Sequence, residues 1–475
     1  MMIATRFGGL AMLMASAATL TACASVPDLG ARPEIRAPET IASAASLGGD
    51  AGVWPADGWW KGYGDAQLDA LMQEAIAGSP DLRMASARLR RAQAYARQAG
   101  AALLPQIDAT NSAGFVQQSE NNGVPAQFVP DGWEDTAKTG LSFSLDLDLW
   151  GKNRATLAAA KADALAAAYE VQEARSALTA ALATSYAELA RLCAQREVLD
   201  RTVQNRLETL KLVGDRVYAG LDNQAALKQA RSRVPAAKAE LAATDEAIAL
   251  TKNSIAELTG AGPDRALTIG RPAVALAAVR GVPANASIDL IGRRPDIAAA
   301  LAGVDAQTSR IKAARAAFYP NISLTGLIGL QALGIGNLAD SGSLYGNAGP
   351  AVSLPIFHGG AISAQYRGTR AQYDEAVARY DATVIGALHD VADTLVSRRA
   401  LAERLSLALA SLKDAEAAHE LSRQRYERGL ASYLDVLSNE ENVLQARRSV
   451  ADLQARVFTL DVQMVRSLGG GFTKA

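Results

Sequence analysis

The feature that most constrains this chain is that it is written twice. Pro80-Asp81-Leu82 is followed 25 residues later by Pro105-Gln106-Ile107, and Pro295-Asp296-Ile297 is followed at the same spacing by Pro320-Asn321-Ile322. Downstream, Val217-Tyr218-Ala219-Gly220-Leu221 answers Tyr426-Glu427-Arg428-Gly429-Leu430, and Leu258-Thr259-Gly260 answers Leu468-Gly469-Gly470. Four matches in one order mark an internal duplication, so one architecture is used twice. Each half predicts the same series: a helix ending at proline, a strand, a loop, a second strand, a very long helix, a Gly-Leu turn and a last helix.

The clearest strand is 141–149, where Leu141, Phe143, Leu145, Leu147 and Leu149 alternate with Ser142, Ser144, Asp146 and Asp148. One face is apolar and the other polar, and aspartates on the polar face suit a wet interior with lipid outside. The other strands predicted are 106 to about 117, 321 to about 330, and 347–357, with polar or glycine-rich loops at 118–137 and 331–346. Four strands cannot close, and an open edge in hydrocarbon leaves backbone groups unpaired, whereas membrane barrels begin at about eight strands. The chain is therefore expected to borrow strands from copies of itself, and three copies would supply twelve.

The helix from Asn153 to Val217 is expected to run roughly 65 residues, on the order of 95 Å at the α-helical rise. In the second half Val384, Leu388, Val391 and Leu395 step by four, three and four, and Leu437, Leu444, Ala451 and Phe458 step by sevens. Such seams follow a coiled-coil period and require neighbouring helices. Pro235 lies inside the return helix of the first half and is expected to bend it. Segment 261–291, rich in Ala, Gly, Pro and Val, reads as a crossover joining repeat 59–260 to repeat 292–470, with 471–475 as a short tail.

At the N-terminus Arg6 precedes a mostly apolar stretch ending in Leu20-Thr21-Ala22-Cys23, which reads as a signal peptide over 1–22 rather than a structural helix. The residues before Cys23 resemble the lipobox of bacterial lipoproteins. That resemblance implies a covalent lipid on Cys23, and Ala24-Ser25 lack the Asp that favours inner-membrane retention in enterobacterial lipoproteins. Residues 23–58 read as an extended tether from the lipid to the body. Cys193 is the one other cysteine, so an acylated Cys23 leaves no internal disulfide and Cys193 reads as a small core residue. After the N-terminus no apolar run reaches the ~18 residues of a spanning helix.

The formal charge of −1 gives no basic excess for nucleic acid. His358, His389 and His419 are scattered without metal-ligand spacing, and neither a nucleophile elbow nor a phosphate-cradling glycine loop is present. No enzymatic activity, metal or cofactor is therefore expected beyond the lipid on Cys23.

Several stretches resemble the outer membrane factor (TolC-like) family, in its NodT-type lipoprotein branch. They are Trp59-Trp60 with Asp65 and Leu68, Ser79-Pro80-Asp81-Leu82, Leu145-Asp146-Leu147-Asp148-Leu149-Trp150-Gly151, Gly292-Arg293-Arg294-Pro295-Asp296-Ile297, and Gly429-Leu430 with Leu434-Asp435-Val436-Leu437. The resemblance implies an α+β membrane protein: a homotrimer with a twelve-stranded β-barrel in the outer membrane, continued by a periplasmic α-helical barrel. It implies an exit duct of a tripartite efflux pump, working with a periplasmic adaptor and an inner-membrane RND-type transporter. It implies that Gly220, Leu221, Gly429 and Leu430 form periplasmic tips meeting the adaptor, and that Leu434, Asp435 and Ser438 narrow the pore. Asp146 and Asp148 would line the barrel lumen. Two alternatives stand beside this: a type I protein-secretion duct, and a structural coiled-coil lipoprotein without a pore.

Overall fold

The computed structural model describes residues 26–37, 40–48, 52–274, 281, 283 and 286–473; the signal segment 1–22 and Cys23 lie outside them. The elements in order are α1 (Ala44–Leu47), α2 (Ala66–Gly78), α3 (Pro80–Ala101), β1 (Gln106–Val116), β2 (Glu134–Asp146), α4 (Lys152–Tyr218), α5 (Gln224–Leu258), α6 (Ala286–Arg293), α7 (Pro295–Ala316), β3 (Asn321–Leu333), β4 (Leu344–Ser353), α8 (Ala361–Glu427) and α9 (Tyr433–Ser467). The duplication carries through to helix length. Helices α3 and α7 each have 22 residues, α4 and α8 each 67, and α5 and α9 each 35. Helix α5 continues through Pro235, which lacks the amide that the carbonyl of Arg231 would otherwise accept from. Among the described residues no helix is long and apolar enough to cross a membrane.

The chain divides into two compact units. The first, within 1–35, 88–167 and 300–380, holds one antiparallel sheet in the order β1-β2-β3-β4, so the hairpins of the two repeats join through β2 and β3. The register puts Ile107, Phe143, Gly326 and Ala348 in one row, and Ala109, Leu141, Ile328 and Gly346 in another. These rows share one face, because residues two apart on a strand point the same way. The opposite face carries Asp108, Ser142, Leu327 and Asn347 in one row and Asp146 with Ser323 further along. The apolar face is uncovered in the protomer: Leu141 is 52% and Ile328 59% exposed. Strands β1 and β4 each have a neighbour on one side only. In the same unit the tether residues Ala31 and Pro33 accept hydrogen bonds from the side chains of Arg370 and Tyr373 on α8.

Strand β2 differs from the expected 141–149. It begins at Glu134, because the small and polar residues Thr136, Ala137 and Thr139 pair with Leu333, Ala332 and Leu330 of β3, and it ends at Asp146. The alternation continues through Leu147 and Leu149, but Asp148 turns into the left-handed region at φ 46°. Its carboxylate accepts from the amides of Asn153 at 2.8 Å and Arg154 at 2.9 Å, satisfying donors that the start of α4 leaves free. Capping the helix therefore displaces Asp148 from the strand. Strand β4 begins and ends earlier than the expected 347–357, because its pairing with β3 runs from Leu344 opposite Leu330 to Ser353 opposite Asn321, the first residue of β3; as an edge strand it accommodates Pro350 within the ladder.

The second unit, within 36–87, 168–299 and 381–475, is helical, and its core gathers Trp59, Trp60, Tyr63, Leu68, Tyr186 and Phe458. Asp65 caps α2 by accepting from the amides of Gln67 and Leu68. Its second oxygen accepts from the Tyr186 hydroxyl at 2.7 Å and the Ala273 amide at 2.8 Å, so one buried carboxylate fastens the crossover to α2 and α4. The part of 261–291 that is described carries a 3-10 turn at Pro263–Thr268 and, at its end, α6. Arg294 holds Asp296 at 2.7 Å and Asp390 at 2.9 Å, which gives the Arg-Arg-Pro-Asp stretch a structural task at the start of α7.

Candidate functional site

Two regions carry the residues singled out in the sequence. The first is the polar face of the sheet. Asp146 ends β2 on that face, accepting from the Asn321 side-chain amide at 3.2 Å. Asp108, which sequence reading passed over because β1 alternates weakly, stands on the same face opposite Ser142. Asp148 does not join them: it is buried and paired with Arg154 at 3.1 Å. Asn111, on the apolar face of β1, is matched by a hydrogen bond from the Thr139 hydroxyl across the ladder.

The second region is the pair of Gly-Leu turns in the helical unit. Gly220 (φ 70°) and Gly429 (φ 75°) occupy the left-handed conformation that closes a helix and disfavours a side chain. Both turns are built alike: the Leu221 amide donates to Arg216 O and the Leu430 amide to Arg425 O, each at 2.8 Å. Leu221 and Leu430 are each 65% exposed, which no packing within the protomer explains.

Past the second turn, Ser432 and Asp435 form a capping box at the start of α9. The amide and hydroxyl of Ser432 hold the Asp435 carboxyl below its usual pKa, so it is ionised and committed to the helix end. Leu434, Asp435 and Ser438 are all exposed, and Leu434 and Ser438, four residues apart, share a helix face.

The structure adds a group that the sequence did not point out. The Tyr426 hydroxyl donates to Asp222 Oδ2 at 2.7 Å, and the Arg216 guanidinium lies 4.6 Å from the Tyr426 ring centre. Tyr426 belongs to the second repeat, Asp222 and Arg216 to the first, so this one side chain ties the two turns together. Burial and the neighbouring Asp222 raise the Tyr426 pKa, keeping the phenol a donor. Beneath it Val213, Tyr433, Val436 and Leu437 form an apolar cluster. The one available signal was a break in the repeat: Tyr426 answers Val217.

Deeper in the same unit, Arg206 and Glu440 form an ion pair at 3.3 Å with both side chains 9% exposed, and Arg206 also donates to Arg233 O at 3.1 Å. His419 on α8 is partly buried, facing Glu440, Glu420, Arg423 and the Val436 backbone, and burial pushes its pKa below 6.5. A lowered histidine pKa contributes stability present above about pH 6.5 and lost as pH falls through the folded value. The melting temperature of the wild type is expected to fall between pH 7 and 5 more steeply than that of His419→Gln; parallel curves would contradict this. Among the described residues no cluster of His, Cys, Asp and Glu is gathered for a metal ion.

A four-stranded sheet with one apolar face, joined to a doubled set of very long helices, defines the class of outer-membrane channels. The outer membrane efflux protein family model matches residues 71–261 and 288–470, and the chain belongs to that family. The chain is 30% identical to the multidrug resistance outer membrane protein MdtP of Shigella flexneri, over 98% of this chain and 97% of that one. It is 36% identical to the fusaric acid resistance protein FusA of Burkholderia cepacia, over 74% of this chain and 67% of that one. Among solved structures, the outer membrane protein VceC of Vibrio cholerae superposes with a TM-score of 0.84 at 40% identity, covering 88% of this chain and all of that one. The protein is thus an outer-membrane efflux duct, in a family of channels rather than of enzymes.

Proposed function

We propose that three copies close their sheets into one twelve-stranded barrel and their helices into a periplasmic duct, which serves as the gated exit of a tripartite efflux pump. The observation that carries this reading is the four-stranded sheet with one apolar face and two unpaired edges. In hydrocarbon such edges must find partners, and three identical sheets provide them without a second gene product. The apolar face then meets lipid and the polar face meets water. Cys23 would anchor each protomer by its acyl chains, and the mass of the mature N-terminal peptide would carry or lack them.

The turns at Gly220-Leu221 and Gly429-Leu430 are read as the periplasmic tips, their exposed leucines as contacts for the adaptor, and Leu434, Asp435 and Ser438 as the narrowing beyond them. The Tyr426–Asp222 bond supports a closed resting tip, because the two hairpins cannot part while it holds. A hydrogen bond to a carboxylate contributes about 1.5–3 kcal/mol. Tyr426→Phe is expected to raise the open fraction in bilayer recordings and to sensitise cells to bulky antibiotics; unchanged recordings would remove Tyr426 from the gate. Asp146, with Asp108 on the same face, is read as a ring favouring cations. Asp146→Asn should lower the cation-to-anion permeability ratio, and an unaltered ratio would reject that role.

The energy source lies in a partner, and the partner chooses the solute. Crosslinking a tagged copy in living cells and identifying what purifies with it tests the assignment. Recovery of a proton-driven RND-type transporter with its adaptor supports efflux, whereas an ATP-driven exporter would make the chain a protein-secretion duct.

A further inference from the structure

On the polar face of the sheet one row departs from its neighbours: Thr110, Gly140, Gly329 and Tyr345 stand opposite one another across all four strands. The two central positions have no side chain, and the Tyr345 ring fills the space they leave. A Cβ on Gly329 would lie 2.9 Å from Tyr345 Cε1, and a Cβ on Gly140 would lie 3.3 Å from the Tyr345 hydroxyl oxygen. The tyrosine therefore reaches back along the row over two strands and lies against the backbone instead of standing away from it. Glycine in a strand interior weakens pairing and marks a close approach, here of an aromatic ring. The Lys138 ammonium sits over the Tyr345 ring, 5.0 Å from its centre. Lys138 is also the one cation among the strand residues of this sheet.

We infer that the Gly140–Gly329 trough and Lys138 together hold Tyr345 flat against the inner wall of the barrel, and that this arrangement keeps the ring from narrowing the bore at that level. The inference rests on the reading above that the polar face is the lumen. A phenol ring standing off the wall in each of three protomers would obstruct a twelve-stranded bore, and laid flat it does not. A Cβ on Gly140 would be wedged between Ile328 O at 3.2 Å and the Tyr345 hydroxyl at 3.3 Å, and of these two neighbours the side chain is the one free to move, so the hydroxyl end of the ring yields inward; deleting the ring makes the trough irrelevant. Gly140 is the position to fill, since a Cβ on Gly329 would also strike Thr139 O at 2.4 Å and disturb the ladder.

The experiment is polymer exclusion in planar bilayers with the purified full-length protein, adding polyethylene glycols of graded size to the side facing the barrel mouth. Entry from that side reads the barrel independently of the helical tip. Gly140→Ala is expected to lower the largest polymer that enters, Tyr345→Ala to leave the wild-type limit in place, and the double variant to recover it. An unchanged limit in Gly140→Ala, or a double variant that stays narrow, overturns the inference while leaving the channel intact. Should Gly140→Ala fail to assemble, Tyr345→Ala decides alone: a wider limit means that the ring already blocks the bore and overturns the inference, and an unchanged limit supports it. A protein that conducts nothing, in the wild type and in Tyr426→Phe alike, would instead remove the channel reading itself.

Discussion

Leu141→Arg is expected to keep the protein out of the outer membrane, whereas Ser142→Arg, one residue on, is expected to assemble. Leu141 stands in the apolar row with Ala109, Ile328 and Gly346, near the middle of β2, and it is half exposed in the protomer. A guanidinium facing lipid at the bilayer midplane costs about 2–4 kcal/mol per copy, and threefold symmetry would place three around the barrel. Ser142 points to the opposite face, in the row with Asp108 and Asn347, where water would solvate the same charge. Outer-membrane fractionation with trimer mobility on gels reads both variants. Equal assembly of the two would mean that the faces are not lipid and water.

The second large effect is expected at Glu440. Both members of the Arg206–Glu440 pair are nearly enclosed, and Arg206 has a further acceptor in the Arg233 carbonyl. Removing one partner leaves a charge stranded away from water, at a cost of about 3–5 kcal/mol. Glu440→Ala should therefore destabilise the helical unit severely, lowering the denaturation midpoint and increasing proteolysis of α5 and α9. Replacing both residues, Arg206→Met with Glu440→Met, should recover most of the loss, because an apolar pair of similar volume leaves nothing unpaired. A Glu440→Ala variant as stable as the wild type would show that the pair is solvated and its burial only apparent. Proteolysis should spare the sheet in either case.

Much of this architecture was legible because the repeat and the helix seams are local patterns. Helix α4 was expected from Asn153 to Val217 and runs from Lys152 to Tyr218, and the duplicated turns fall on the glycines that the pattern marks. What escaped had a physical reason in each instance. The first half of β2 was missed because Glu134 to Gly140 carries no apolar alternation; its register is fixed by pairing with β3, nearly two hundred residues away. Asp148 continues the alternation of β2 perfectly and still leaves the strand, since the free amides of α4 compete for its carboxylate. Pattern alone cannot weigh a cap against a ladder. The Tyr426–Asp222 bond joins residues 204 apart, and only folding brings the two turns together. By contrast the Trp59-Trp60, Asp65 and Leu68 stretch stands out in the sequence only through the family resemblance, and the core and the crossover clamp supply its physical reason.

The central claim is that the chain becomes a channel only with copies of itself, and it is tested most directly by measuring the mass of the detergent-solubilised particle and its conductance in planar bilayers from the same preparation. The account predicts a particle of three chains that conducts, with conductance raised by Tyr426→Phe. A stable monomer, or a trimer that conducts nothing even with the Tyr426–Asp222 bond removed, would contradict it.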